Sequence, residues 1–225
     1  MYILGISTIN RQGSVALVSQ EGTLIAEAEI QDTSSLSRTL VPEVSRMLSA
    51  QNVGWDAVRL LAFTWGPGSF TSLRIGLAAV KGLVFGRDIP VVGVSSLESL
   101  AAGLNISDGI AVPLLDARKG EVYCGIYSIQ DGETKSLLKD FAEKPEVVVE
   151  LVKKECPDAF LFGDGLDKYS DIFTEFQEAP HKSETAAYQT ALLGMKKGKS
   201  DQRISLRYCR SSEAEVHKGI SIKIK

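Results

Sequence analysis

YILGISTINRQGSVALVSQEGTLIAEAEI, residues 2–30, reads as three short strands joined by two turns. YILGISTI (2–9) is rich in aliphatic and β-branched side chains, and NRQG (10–13) is a turn signal. SVALVS (14–19) is a second strand, QEG (20–22) a second turn, and TLIAEAEI (23–30) alternates apolar and polar residues as a half-buried strand does. The chain therefore opens on an antiparallel meander. A helix follows from about Leu36 to Ala50, with Leu40, Val44, Met47 and Leu48 on one face. Pro42 is tolerated only in a first turn, which moves the expected start towards Val41.

Outward from there, LLAFTWG (60–66) reads as a buried strand, GPGS (66–69) as a tight loop and FTSLRIGLAAVKGLVFG (70–86) as a helix. PVVGVSS (90–96) is a strand leading into the helix SLESLAAGL (96–104), with Ser95 or Ser96 as its cap. The order βββαβαβα is that of the ribonuclease-H-like half of an actin-like protein. IAVPLLDA (110–117), VYCGIYSI (122–129) and KSLLKDFAE (135–143) repeat the meander, and PEVVVELVKKE (145–155) is a helix opened by Pro145. AFLFG (159–163) is a strand, and LDKYSDIFTEF (166–176) and ETAAYQTALLGMKKG (184–198) are helices, the last with Leu192, Leu193 and Met195 on its apolar side. The expected fold class is α/β, actin-like, from two duplicated βββαβα subdomains with mixed sheets. The expected division is 1–104 and 105–225, and it stays open whether the last segment returns to the first half. ISIKIK (220–225) alternates as a strand would, or frays as a tail.

Composition narrows the function classes. The chain has 225 residues, 44% hydrophobic and 24% charged, with a formal net charge of −3. That suits a globular protein with a full core and weighs against independent gripping of nucleic acid, which needs a basic face. Cys124, Cys156 and Cys209 are odd in number and form no CxxC pair, which predicts reduced thiols in a cytoplasmic chain. No run reaches the ~18 apolar residues of a membrane span, and the N-terminus has no basic leader or cleavage site.

Several runs together carry a family resemblance: GPGSFTSLRIGLAAVKGL (66–83), IPVVGVSSLESLA (89–101), LLDARKGEVYCGIY (114–127), FGDG (162–165) and RYCR (207–210). The sequence resembles the TsaB/YeaZ family over nearly its whole length, most densely from 63 to 127. The resemblance implies a subunit without established catalytic residues. Such a subunit pairs with a larger homologue, TsaD, and a small ATPase, TsaE, to attach threonylcarbamoyl to adenosine beside the tRNA anticodon. It implies self-association when the chain is alone, contact with tRNA through the complex, and ATP and Mg²⁺ bound by the partner subunits rather than by this chain.

The residues fit that implication. Actin-like ATPases need a carboxylate at the end of the first strand to hold Mg²⁺ against the phosphates, and relatives commonly read I-D-T-S there. This chain reads Ile6-Ser7-Thr8-Ile9, and a hydroxyl is a poor sole ligand for Mg²⁺. His181 and His217 lack the one-turn spacing of a paired-histidine metal site. Ser7, Ser69 and Ser72 have no histidine placed in sequence to suggest a triad. GPGSFTSLR is no Walker A loop, because Lys81 and Gly82 come too late; Gly66, Gly68 and Ser69 form either a sharp turn or an anion loop. Asp116 is read as capping a turn beside Arg118 and Lys119, with a phosphate-loop acid as the alternative. Gly163 and Gly165, around Asp164, shape a bend or cradle adenosine. An independent sugar-kinase-like ATPase and a peptidase acting on TsaD are the competing functions.

Helix 70–86 is the strongest functional feature. From Ile75 to Phe85 only Lys81 is polar, so the helix needs cover on most sides. Ala78, Gly82 and Gly86 recur every four residues, and such a stripe admits another helix closely. Two helical glycines cost roughly 1 kcal/mol each relative to alanine. The alternative is that helix 41–50 of the same chain fills the groove. With the resemblance, Val44, Met47, Leu48, Arg74, Ile75, Ala78, Gly82, Phe85 and Gly86 are the expected interface.

Overall fold

A computed structural model describes residues 1–9, 13–30, 36–178, 185–198, 204–207 and 209. The 220–225 segment, His181 and His217 lie outside the described residues.

Strands β1 (Tyr2–Ser7), β2 (Gly13–Ser19) and β3 (Leu24–Ile30) form the opening meander. β4 (Val58–Gly66) then pairs parallel to β1, and β5 (Val91–Ser95) parallel to β4, giving the order β3-β2-β1-β4-β5. In the second half β6 (Gly109–Arg118), β7 (Glu121–Gln130) and β8 (Glu133–Glu143) are antiparallel neighbours, while β9 (Phe160–Phe162) and β10 (Gln177–Glu178) extend the sheet in parallel. The order β10-β9-β6-β7-β8 repeats the first sheet strand for strand. The fold is α/β and actin-like, with βββαβα duplicated.

Helix α1 (Leu36–Ala50) buries Leu36, Leu40, Val44, Met47 and Leu48 against the first sheet, and α2 (Phe70–Val84) lies beside it. α1 does not begin near Val41 as expected: Pro42 sits inside it. Pro42 is exposed, and the apolar anchors Leu36 and Leu40 hold the turn before it in place. The 7-residue α3 (Ser96–Ala102) follows β5, and α4 (Pro145–Glu155) covers the second sheet through Val148, Val149 and Val152. The helix expected at 166–176 is confined to α5 (Asp164–Lys168); turns follow it, and Phe173 still reaches the core.

The chain divides into two compact units, Met1–Ser99 with Ser183–Arg207, and Leu100–Lys182 with Tyr208–Lys225. Helix α6 (Ala186–Lys197), which the sequence division places in the second half, packs on the first sheet. Ala187 and Ala191 lie against Ile3, Ala16, Val18, Leu60 and Val92, on the face opposite α1. Backbone approaches closely there. A Cβ at Gly5 would overlap the Ala187 carbonyl oxygen, and one at Gly194 would overlap Ala62. The contact is tied by Ser99 Oγ to the Ala186 carbonyl at 2.9 Å and by the Ala187 N–H to Ser14 Oγ at 3.2 Å.

Candidate functional site

The end of β1 is closed by protein. Ser7 is 2% exposed and opposite Ser14 in the ladder. The Thr8 N–H donates to Thr64 Oγ1 at 3.1 Å. The Thr8 side chain lies directly over Gly76 of α2, where any Cβ would overlap its hydroxyl. Among the described residues this corner supplies hydroxyls and no carboxylate, a donor set that does not fit a phosphate-bound Mg²⁺. Among the described residues no three His, Cys, Asp or Glu side chains gather as metal ligands.

The GPGS loop turns β4 into α2 through a cis Gly66–Pro67 bond, with φ of 117° at Gly66 and 154° at Gly68. Both glycines face carbonyl oxygens: a Cβ on Gly66 would lie 2.7 Å from Arg207 O, and one on Gly68 would overlap Ile9 O. The Ser69 N–H is already bonded to Ile9 O at 2.9 Å, and Ser69 Oγ accepts from the Ser72 hydroxyl at 3.1 Å. Carbonyls crowding the loop repel an anion, so the geometry suits a tight turn. The guanidinium of Arg207 lies over the Trp65 ring at 4.1 Å, and the backbone N–H of Arg207 donates to Trp65 O at 2.9 Å. That tie between RYCR and the start of the loop has no local sequence signal.

In the second unit Asp116 holds the β6–β7 turn. Its Oδ1 accepts from the Arg118 N–H at 2.9 Å and from Lys168 Nζ at 2.8 Å, and Oδ2 lies 3.4 Å from Arg118. Arg118, Lys119 and Gly120 all take positive φ. Burial alone would push the Asp116 carboxyl up; Lys168, the Arg118 N–H and the nearby positive charges hold it below the usual range. Asp164 Oδ1 accepts from the Asp116 N–H at 3.0 Å, and burial raises its own carboxyl. A Cβ on Gly163 would overlap the Leu114 carbonyl oxygen, and one on Gly165 would press against the same carbonyl at 3.0–3.1 Å.

The surface of α2 differs from both sites. At about 100° per residue, Phe70, Thr71, Arg74, Ala78, Lys81, Gly82 and Phe85 fall within an arc of roughly 120°. All are exposed, Phe70 at 51% and Phe85 at 85%. A Cβ at Gly82 or Gly86 would meet nothing within 4 Å, so α1 does not fill the stripe. Arg74 lies over the Phe70 ring at 3.7 Å. Val44, Met47 and Leu48, expected at the interface, belong instead to the chain's own core, and Ile75 is half-buried against it. Helical spacing picks out the face with most apolar side chains, and on α1 that face meets the sheet. The outer surface of α1 is carried by Val41, Ser45 and Ser49.

Comparisons with known proteins agree. Residues 31–217 match the sequence model of the family described as TsaD, tRNA N6-adenosine threonylcarbamoyltransferase. The chain is 33% identical over 228 residues to the tRNA threonylcarbamoyladenosine biosynthesis protein TsaB of Bacillus subtilis, covering 96% of this chain and 97% of that one. The structure of YeaZ from Pseudomonas aeruginosa superposes with a TM-score of 0.74 at 28% identity, covering 92% of this chain and 99% of that one. A ROK hexokinase from Thermus thermophilus shares the fold alone, at TM-score 0.50 and 9% identity over 88% of this chain and 99% of that one.

Proposed function

The chain belongs to the TsaB/YeaZ family, within the wider family of the threonylcarbamoyltransferase TsaD, and from that premise we propose that it works as the non-catalytic scaffold subunit in synthesis of tRNA N6-threonylcarbamoyladenosine. It pairs with a TsaD-family subunit that carries the chemistry and with a TsaE-like ATPase, and it meets tRNA through the assembled complex. ATP and Mg²⁺ bind to the partners. Alone, the chain self-associates. The work is cytoplasmic, and no described helix is long and apolar enough to cross a membrane.

The observation that carries the reading is the outer arc of α2. Two aromatic rings stand exposed beside an alanine and glycines that have open space over them. A surface of this composition gains from being covered, and its small residues let a helix come near. The outer arc of α2, with Val41 and Ser45 of α1, forms the contact.

Ala78→Trp tests it. The substitution puts a bulky uncharged side chain on an exposed helical position, so the fold is retained while the partner helix is blocked. The expected result is loss of co-elution with the TsaD-family subunit of the same organism, with an unchanged circular dichroism spectrum. Reconstituted tRNA modification should fall to the level seen when this chain is omitted. Full modification without the chain would refute the scaffold role.

A further inference from the structure

Resting on the reading of α2 as a docking face, we propose that this face is charged to receive a partner helix bearing carboxylates, in preference to a second copy of this chain. The whole chain is acidic, with a formal net charge of −3. Its two outer helices are not. Arg38, Arg46, Arg74 and Lys81 stand in α1 and α2 against a single acid, Glu43. Glu43 is already held by Arg46, at 3.0 Å from Nε. α2 itself contains no acid, and no ion pair to Arg74 or Lys81 is found among the described residues. Arg74 is fixed by stacking on Phe70, so its guanidinium is presented in one place rather than swept through solvent.

Lys81 and Arg74 lie between Phe70 and Phe85 on the arc, while Ala78 and Gly82 lie towards its other edge. A partner helix crossing close over Ala78 and Gly82 would therefore have one flank over the two cations. Carboxylates on that flank would pair with them where the surrounding rings exclude water, and such pairs set partner choice. A two-fold contact does the opposite. It lays the same patch on itself, so Arg74 and Lys81 meet a second α2 that carries the same two cations and no acid. Like charges brought together in this way penalise self-pairing and leave it weak. Two cations set among rings and small residues suit a protein better than RNA, which needs a broader basic surface.

The test uses the full chain, its charge-reversed form Arg74→Glu with Lys81→Glu, and the TsaD-family subunit of the same organism as probe. Both sites are exposed, and circular dichroism checks the fold. Association with the probe should weaken as salt rises from about 50 mM to 500 mM, and charge reversal should weaken it roughly tenfold or more. Self-association of the native chain should strengthen with salt, and a mixture of native and charge-reversed chains should pair more tightly than either alone. Charge reversal that leaves probe binding unchanged, or native self-association that weakens with salt, overturns the proposal. Ala78→Trp separates the failures. If it abolishes probe binding while charge reversal does nothing, the face stands and its charge logic falls. If Ala78→Trp is harmless, or the probe never binds, the docking face itself is refuted and this inference with it. A tRNA transcript bound by the lone chain through Arg74 and Lys81, with probe binding untouched by their reversal, would assign the cations to RNA instead.

Discussion

Asp116 shows how a single carboxylate can hold a strand turn together. Its carboxylate is surrounded by the Arg118 N–H, the Lys168 ammonium and the Arg118 guanidinium, all from its own unit. Its lowered pKa means that the ionised form stabilises the fold. That contribution is complete above the ordinary aspartate value, about 3.9, and is lost as pH falls through the lowered folded value. Asp116→Asn should destabilise the protein by about 1 kcal/mol at neutral pH, because the turn bond survives and only partly screened charge attraction is lost. In urea unfolding the gap between variant and native chain should close below roughly pH 4. The buried thiols give a second residue-level expectation. Burial raises Cys124 well above the ordinary thiol value and pushes Cys156 up to about 11. Neither should react with iodoacetamide in the native chain at neutral pH. Intact mass should show at most one adduct, on Cys209, until denaturant is added.

At the scale of elements, glycines separate folding from docking. Gly82 is interior to α2 and has open space where a Cβ would stand. Gly82→Ala should therefore stabilise the lone chain by about 0.5–1 kcal/mol while weakening association, if close helix approach is what the glycine serves. Thermal melts and co-elution read the two effects independently. Gly5 is the opposite case, since an added methyl would overlap the α6 backbone. Gly5→Ala should cost about 2–3 kcal/mol. The elements themselves were largely legible, because strands such as β2 and β4 alternate or run apolar between turn residues, and α4 begins at a proline. The seat of α6 was not. Its sequence draws the eye to Leu192, Leu193 and Met195, whereas the residues that let it lie close to the sheet are Ala187, Ala191 and Gly194. Small side chains carry little hydropathy signal even when close packing depends on them. The candidate site divided in the same way. The stripe on α2 could be read from its spacing, but whether α1 covered it depended on the direction each helix faces, which only tertiary packing fixes.

For the whole molecule, the consequence is that the first unit is assembled from two distant stretches of chain. Its sheet has α1 and α2 on one face and α6 on the other. Without α6, the side chains of Ile3, Val18, Leu60 and Val92 would lose their cover. Each such side chain contributes roughly 1.5–3 kcal/mol when fully buried, and the four together rival the ~5–15 kcal/mol that holds a typical domain folded. A fragment ending at residue 104 should therefore fail to fold cooperatively, although it contains every strand of the first sheet and both outer helices. It should bind a hydrophobic dye and show a broad, shallow urea transition. Joining residues 183–207 to it through a short flexible linker restores Ala187 and Ala191 to the bare face, along with the Ser99 and Ser14 hydrogen bonds. That restored fragment should melt in one sharp transition and still bind the TsaD-family subunit, because the α2 arc lies wholly within the first unit. A cooperative 1–104 fragment would mean that α6 adds cover without being needed, and the Gly5 and Gly194 contacts would then be incidental to the fold.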